Sequence, residues 1–353
     1  MDLDRLEETL AAAGEPAFRA RQVWSAVTRG AAGYGEITTL PKALRARLVD
    51  EVPYSTLAVE HDATSRDGTL KALFRTAEGH PVEAVLMRFR DGRRSVCVSA
   101  QSGCPLTCTF CATGRMRFAR NLSASEILDQ VLHFRRIEPV DHCVFMGMGE
   151  PMMNLDAVLD AARRLPDVGI THRRTTVSTV GWMPGLQRFV DDVDEPIRLA
   201  LSLHAPEPTL RSALMPVNDR YPLEDVLEVC REYVRRRRRR VFVEYLMLDG
   251  INDSDRLAEQ LADLLGRDGF HVNLIAYNPT GSDYRASSSI RVAGFAAVLE
   301  RRGISASYRR SHGQDIDAAC GQLAVKGASE LRRKRARDRH SAARAAAQPG
   351  VHR

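Results

Sequence analysis

A short stretch of the chain carries three cysteines within eight residues. Cys104, Cys108 and Cys111 lie in SGCPLTCTFCATG with C-x3-C-x2-C spacing. Three thiolates on one loop can bind three irons of a cubane iron–sulfur cluster, which leaves the fourth iron open to another ligand. A structural zinc site is one alternative, but it needs four closed ligands, commonly from C-x2-C pairs. Buried cysteines without any ligand are the other. The spacing favours the cluster.

Polar residues follow several predicted strands. GMGEP (147–151) ends one of them, where glycines let the backbone approach a ligand and Glu150 could accept hydrogen bonds from an ammonium group. An ordinary strand-to-helix turn is the alternative there, and a simple cap is the alternative for the other residues. Their position at one shared edge favours a ligand-binding rim. The other candidates at this edge are Ser178, Ser202 to His204, and Asn278.

Four further cysteines lie outside the loop. Cys143 and Cys230 have apolar neighbours and are predicted to be inert core residues, and by pattern alone Cys97 would be a core residue too. Cys320, in QDIDAACGQL, has polar neighbours and is followed by glycine, so its pattern does not indicate a core position.

The elements that must position these residues are alternating strands and helices from about residue 93. Six mostly apolar strands separated by helix-length gaps predict an α/β fold with a parallel sheet and right-handed crossovers. Six units are fewer than the eight of a closed barrel, which predicts a partial (β/α)6 barrel with its chemistry at the carboxyl ends of the strands. The predicted strands are 95–99, 143–146, 175–178, 198–203, 241–246 and 272–276.

The first 92 residues follow other patterns. Leu3, Leu6 and Leu10 mark one helix face, and further helices are predicted at 18–27 and 41–49. Alternating residues at 70–74 and 82–86 predict antiparallel strands with turns at Asp67-Gly68 and Glu78-Gly79. The predicted domains are a helical accessory domain (1–52), a β extension (53–92), the barrel (93–330) and a basic, disordered tail (331–353).

Composition and charge exclude several classes of protein. Of 353 residues, 44% are hydrophobic and 27% are charged, which excludes a chain disordered throughout, a collagen and a coiled coil. The net charge of +6 comes from the tail, because residues 331–353 carry +7 and the first 330 carry −1. Candidate RNA-binding segments are therefore local. They are the arginines at 115, 117 and 120, the run 235–240 and the cluster 332–339.

The N-terminal sequence MDLDRLEETL is acidic, which is not typical of a signal peptide, and no apolar stretch approaches the roughly 18 residues of a membrane span. We therefore expect a cytoplasmic protein without a membrane partner. In a reducing compartment, three clustered cysteines indicate a metal site before they indicate disulfides.

The cysteine loop after the first barrel strand resembles that of the radical S-adenosylmethionine (SAM) enzymes. MGMGEP, LSLHAP, VNLIAYNP and DIDAACGQL, with GEPAFRARQVW near the N-terminus, are similar to the RlmN/Cfr family of RNA adenine methyltransferases, most of all to its RlmN branch. The resemblance extends from about residue 14 to residue 323. It implies a [4Fe–4S] cluster on Cys104, Cys108 and Cys111, with SAM bound to the open iron. The SAM-binding residues that it implies are Gly149, Glu150, Ser178, Ser202, Leu203, His204 and Asn278.

The same resemblance implies the chemistry. Two SAM molecules are used per turnover, one to methylate Cys320 and one to form a radical. The radical route is needed because carbon 2 of adenine is electron-poor. Cys320 takes a methyl group by direct displacement, for which a thiolate is a competent nucleophile. A radical on that methyl group joins protein to RNA, and Cys97 releases the product by forming a transient disulfide with Cys320. Glu83 matches the family's proton acceptor, although its residue pattern alone indicates a solvated strand position.

The resemblance thus predicts methylation of adenine C2 in 23S rRNA, with tRNA as a second candidate substrate, by a monomer served by an electron-donor protein. Methylation at C8, as by Cfr, is the nearest alternative. A non-catalytic RNA-binding protein with a structural metal is a more distant one. Arg117 stands where the family is expected to have glycine, which leaves the fine choice of substrate open.

Overall fold

The structure is a computed structural model that describes residues 1–267, 269–309 and 311–323. Its longer strands form one ten-stranded sheet, and two short strands form a separate ribbon. The strands are β1 (Ala58–Thr64), β2 (Leu70–Arg75), β3 (Pro81–Arg88), β4 (Arg94–Val98), β5 (Gln101–Ser102), β6 (Arg120–Asn121), β7 (His142–Phe145), β8 (Thr175–Thr179), β9 (Arg198–Ser202), β10 (Val241–Met247), β11 (Phe270–Ala276) and β12 (Ser305–Arg309).

Helices connect the strands and cover the outside of the sheet. The α-helices are α1 (Leu3–Ala12), α2 (Phe18–Thr28), α3 (Lys42–Glu51), α4 (Ala124–Ile137), α5 (Leu155–Arg164), α6 (Met183–Asp192), α7 (Pro208–Leu214), α8 (Leu223–Arg237), α9 (Asp255–Leu265) and α10 (Ser289–Arg301). Two helices begin at side-chain caps: Ser123 and Glu126 form a capping box at α4, and Ser254 caps α9. Within the described ranges, no helix is both long and apolar enough to span a bilayer.

The parallel part of the sheet confirms the predicted barrel. Its order is β4-β7-β8-β9-β10-β11-β12, with every neighbouring pair parallel. The six predicted strands are present within two residues of their predicted bounds. The seventh, β12, was not predicted, because its sequence SASYR lies at the sheet edge, is largely exposed and lacks the apolar run of a buried strand.

The predicted β extension continues the same sheet. β1, β2 and β3 pair antiparallel, and β3 pairs antiparallel with β4, so that Val85 lies opposite Cys97. The turns are at the predicted Gly68 and Gly79, both with positive φ. Hydrogen bonding therefore runs without a break from the extension into the barrel, and Glu83 of β3 is placed beside the barrel interior.

The N-terminal helices rest on the outer barrel helix α4. Leu3, Leu6 and Leu10 are buried as predicted. Asp129 of α4 accepts hydrogen bonds from the backbone N–H and hydroxyl of Thr56. The helical residues thus have defined contacts with the barrel, while the boundaries of the four predicted domains stay a prediction.

Candidate functional site

The cysteine loop (residues 103–116) follows β4 and is fixed by contacts with distant parts of the barrel. Thr109 donates its backbone N–H to the carbonyl of Leu214 (3.0 Å), and its hydroxyl is 2.7 Å from that of Tyr284. The Phe110 ring packs edge-on against His204, with centroids 4.8 Å apart. The loop is therefore tied to the ends of several strands before any ligand binds.

The three loop thiols influence one another. Burial and then the neighbouring thiols raise the pKa of Cys108 to about 12, and the same causes raise the pKa of Cys104. A protein environment that disfavours the thiolates of Cys104 and Cys108 needs a bound cation to hold these two deprotonated. The donor set therefore fits a group rich in positive charge.

A single metal ion fits this site less well. Among the described residues, no three His, Cys, Asp or Glu side chains converge as the ligands of one ion would. The cluster on these three cysteines stays a prediction, with zinc as its alternative. A cubane cluster has a different requirement, because each cysteine binds its own iron and the three sulfurs stay farther apart.

Gly103 is required where the loop crosses its own end. Its φ is +75°, and a Cβ there would lie 2.3 Å from the carbonyl oxygen of Arg117. We expect Gly103→Ala to destabilise the protein by about 3 kcal/mol, because backbone strain and overlap add. Gly79→Ala is the matched control, since Gly79 has φ +80° and open space around it, so about 1 kcal/mol is expected. Urea unfolding measures both, and equal losses would contradict the crowding argument.

The glycines of GMGEP lie where the turn approaches neighbouring residues of the protein closely. A Cβ on Gly147 would lie 2.7 Å from the carbonyl oxygen of Val98, and a Cβ on Gly149 would lie 2.5 Å from Cβ of Gln101. The absence of a side chain at these positions thus allows close approach of the turn to β4 and Gln101. The ligand contact predicted for Gly149 stays a prediction.

Glu150 is buried beside the cysteine loop. One carboxylate oxygen accepts from the backbone N–H of Met152 and the other from that of Val180, both at 3.1 Å. Burial raises the pKa of Glu150 to about 7. Its charge also raises the pKa of Cys104 and Cys108, which places it near both thiols. An ammonium group could offset this cost of burying a carboxylate.

The predicted rim residues do meet at one edge. The hydroxyls of Ser178 and Ser202 are 3.5 Å apart, and Leu203 donates its N–H to the carbonyl of Glu244. His204 has φ +61°, and its Nδ1 accepts from the N–H of Leu246 (3.0 Å), so the proton of the neutral ring is on Nε2. Burial lowers the pKa of His204 to about 3 and keeps it neutral.

Arg211 was not predicted, yet it holds this rim together. It is fully buried, and its guanidinium donates to the carbonyls of Leu203 (3.2 Å) and Val180 (2.8 Å) and to Oδ1 of Asn218 (2.7 Å). Burial lowers its pKa to about 10. The sequence feature that could have indicated Arg211 is a single arginine in the mostly uncharged, partly apolar segment TLRSAL of α7.

Cys320 lies in a segment (residues 311–323, the Cys320 segment) that docks on the barrel rim. Asn278 donates to the Cys320 carbonyl (3.2 Å) and accepts from Gln314 (2.7 Å). Ala112, next to Cys111, donates to the carbonyl of Gly321 (2.8 Å). Asn278, predicted as a SAM ligand, is therefore also an anchor of Cys320.

Cys97 and Cys320 are brought together although they are distant in sequence. Cys320 is accessible to solvent, whereas Cys97 is buried among Val85, Met116 and Met148. The pKa of Cys97 is raised by burial and then by Cys320. Part of the Cys320 residue reaches solvent, but desolvation of its thiol by the surrounding protein raises the pKa of Cys320, and Glu244 and Cys111 add to the effect. Cys320 is thus near both the partner thiol and the cysteine loop.

The remaining cysteines match the prediction. Cys143 and Cys230 are completely buried, and burial raises the pKa of both thiols. All seven cysteines lie within the described residues and are free thiols. Cys97 differs from the two core cysteines because it packs with Ala318 and Leu323 of the Cys320 segment.

Glu83 is buried on β3 and is not the solvated strand residue that its pattern indicated. Only 4% of its side chain is exposed, and Oε1 lies 3.2 Å from Nζ of Lys71. Its backbone N–H points to the sulfur of Met148. It lies on the sheet face that also carries Val85 and Cys97, because Val85 is its neighbour but one on β3.

The arginine segments differ in their availability to RNA. Arg120 pairs with Glu78 and Glu126, so its charge is already neutralised, whereas Arg117 is exposed. The run 235–240 begins at the end of α8 and precedes β10, so it lies at the opposite edge of the sheet from the rim. Three of its arginines, Arg235, Arg236 and Arg237, form ion pairs with acidic residues. The structure therefore weakens the prediction for that run. The 332–339 cluster lies outside the described residues.

Comparisons with known proteins agree with this geometry. The model of the radical SAM superfamily matches residues 98–264. A dual-specificity RNA methyltransferase RlmN from Syntrophobacter fumaroxidans is 44% identical over 91% of this chain and 96% of its own length. One of the same description from Alkalilimnicola ehrlichii is 42% identical over 95% of this chain and 96% of its own length. A crystal structure of a radical SAM methyltransferase from Sphaerobacter thermophilus matches with a TM-score of 0.87 and 44% identity, covering 92% of this chain and 97% of the other.

Proposed function

Because the chain belongs to the RlmN family of radical SAM RNA methyltransferases, we propose that it methylates carbon 2 of adenine in RNA. The observation that carries the proposal is the packing of Cys97 in one cluster with Ala318 and Leu323 of the Cys320 segment, which is hydrogen-bonded to Ala112 of the cysteine loop. A core position alone explains neither the exposed Cys320 nor the dense set of contacts that hold its segment.

The proposed cofactors are a [4Fe–4S] cluster and SAM, two molecules per turnover. Cys104, Cys108 and Cys111 would hold the cluster. When bound, these groups supply the methyl carbon and the radical chemistry. The SAM-binding residues that we propose are Gly149, Glu150, Ser178, Ser202, Leu203, His204 and Asn278.

The thiols of the chain carry the methyl group and then release it. Cys320, whose pKa is raised, must first lose its proton in order to accept the methyl carbon. Bonding of that carbon to adenine leaves one unpaired electron on the adduct, which the bound cluster would take up, and Glu83 accepts the ring proton. Cys97 then attacks the Cys320 sulfur: the S–S bond forms, the C–S bond breaks, and its electron pair stays on the carbon, which takes up a proton. The two thiols lose two electrons, so an electron donor must reduce the disulfide.

The proposed substrates are 23S rRNA and tRNA, in line with the dual specificity in the relatives' name. The names of the relatives give no support to the C8 alternative or to a non-catalytic binding protein. We further propose residues 1–52 as an accessory RNA-binding domain on a monomeric enzyme. Arg117, exposed after the cysteine loop, is the candidate arginine for phosphate contact.

Product analysis tests the proposal. The reconstituted enzyme is incubated anaerobically with 23S rRNA or tRNA, SAM and a reductant, and the digested RNA is examined by mass spectrometry against standards. We expect 2-methyladenosine from the wild type and none from Cys320→Ala. 8-methyladenosine as the sole product would overturn the C2 assignment.

Glu150 gives SAM binding a specific pH dependence. Since its pKa is raised to about 7, its carboxylate is largely neutral at pH 6 and largely charged at pH 8. We expect the affinity for SAM to rise by about tenfold between pH 6 and pH 7.5, because only the charged form attracts an ammonium. Isothermal titration calorimetry measures this. Glu150→Gln is the control and should bind weakly with little pH dependence, while a flat wild-type profile would contradict the assigned contact.

A further inference from the structure

Lys71 of β2 connects the candidate proton acceptor to the segment that carries Cys320. We propose that Lys71 is a positioning residue, which keeps Glu83 ionised and fixes it relative to Cys320. The inference rests on the proposed function, because it concerns the proton that leaves adenine.

The geometry places one ammonium group between two partners. Nζ of Lys71 lies 3.2 Å from Oε1 of Glu83 and donates to the carbonyl of Asp317, also at 3.2 Å. Only 14% of the Lys71 side chain is exposed. Asp317 is three residues before Cys320, so one side chain contacts both the acceptor and the Cys320 segment.

The strand register explains why these side chains meet. Lys71 lies opposite Val85, and Val85 lies opposite Cys97 on the next strand. Lys71, Glu83 and Cys97 therefore share one face of the sheet. Lys71 and Glu83 form a diagonal cross-strand pair between β2 and β3, and β3 pairs on its other side with β4, which carries Cys97.

The hairpin formed by β1 and β2 makes further contacts with the same segment. The backbone N–H of Arg66 donates to Asp315 (3.1 Å), and Gly313 donates to Asp67 (3.0 Å). These contacts lie at the hairpin turn, away from Glu83. Lys71 is distinguished from them because it contacts Glu83 as well as the segment that carries Cys320.

A nearby cation favours the charged form of a carboxylate, and the effect is larger where water is scarce. Among the described residues, Lys71 from β2 lies within ion-pair distance of Glu83 and carries positive charge. Cys97 from β4 shares the same sheet face, and Asp317 of the Cys320 segment contributes the carbonyl that Lys71 contacts. Lys71 therefore opposes the cost of burial and keeps Glu83 able to accept a proton.

Three variants separate the effect of the Lys71 charge on Glu83 from the effect of its hydrogen bond to the Asp317 carbonyl. Lys71→Met removes both, Lys71→Gln keeps a hydrogen-bond donor without the charge, and Lys71→Arg keeps both. Lys42→Met is the matched control, because Lys42 is exposed on α3. Each cluster-loaded protein is assayed for single-turnover RNA methylation from pH 5.5 to pH 9. Cys320 alkylation by iodoacetamide without RNA is followed by peptide mass spectrometry.

We expect the acid limb of the pH profile to move upward by about one to two pH units in Lys71→Met and Lys71→Gln, but not in Lys71→Arg. Alkylation of Cys320 should become about fivefold faster in Lys71→Met alone, as for one lost hydrogen bond. Unchanged acid limbs in the Met and Gln variants would overturn the inference. If Lys71→Met does not fold, the comparison of the acid limbs of Lys71→Gln and Lys71→Arg tests the inference. Failure of the proposed function is distinct, because the wild type would then yield no methylated adenine at any pH.

Discussion

Cys97→Ala is expected to leave the protein covalently joined to its RNA. Cys320 still accepts the methyl carbon and still forms the bond to adenine, but no thiol then attacks its sulfur. Release of methylated RNA should fall on the order of 10³-fold or more, because the missing nucleophile has no substitute in its apolar surroundings. A denaturing gel with labelled RNA, followed by mass spectrometry of the retained band, measures the adduct.

Two controls accompany this experiment. Cys143→Ala, a buried cysteine on the neighbouring strand β7, should turn over normally and leave no adduct. The double variant Cys97→Ala/Cys320→Ala should leave none either. An adduct that persists without Cys320 would identify a different attachment point, and full turnover of Cys97→Ala would end the two-thiol mechanism.

Arg211→Met is expected to cost about 3–5 kcal/mol of stability and most SAM binding. The substitution leaves the carbonyls of Leu203 and Val180 and the side chain of Asn218 without their buried donor. Unsatisfied groups of this kind are more costly than the lost bonds alone. Since Val180 and Leu203 directly follow β8 and β9, we expect the rim residues to become less ordered as the free energy of unfolding falls.

Denaturant unfolding and calorimetric titration with SAM measure the two effects. Arg188→Met is the matched control, because Arg188 forms an exposed ion pair with Asp156, and its loss should cost less than about 1 kcal/mol. A fully stable Arg211→Met variant would show that the rim does not depend on this guanidinium. Normal SAM binding in a destabilised variant would separate the rim from the cofactor site.

Local patterns were sufficient for the parallel barrel. Each central strand is an apolar run that is buried on both faces, such as Val241–Met247, and each following loop begins where that run stops. The cysteine spacing was informative because all three proposed cluster ligands come from one short loop. The rim residues could be grouped because parallel strands place their carboxyl ends at one edge.

Long-range contacts could not be predicted in this way. The edge strand β12 is polar, so its pairing depends on β11 rather than on its own residues. Arg211 and Lys71 look like ordinary helix and strand residues until the fold supplies their partners. Cys97 was assigned a role by resemblance alone, since its strand pattern is that of a core residue.

The docking of the Cys320 segment against the β1–β2 hairpin sets the order in which the site can be completed. Ser65 contacts Asp315 across 250 positions of the chain. During synthesis, the hairpin, the cysteine loop and the rim all leave the ribosome before this segment does. Contacts of such long sequence separation also form late in folding. Cys320, the proposed methyl carrier, is therefore the last part of the site to be put in place, and a nascent chain can hold the rest of the site long before Cys320 joins it.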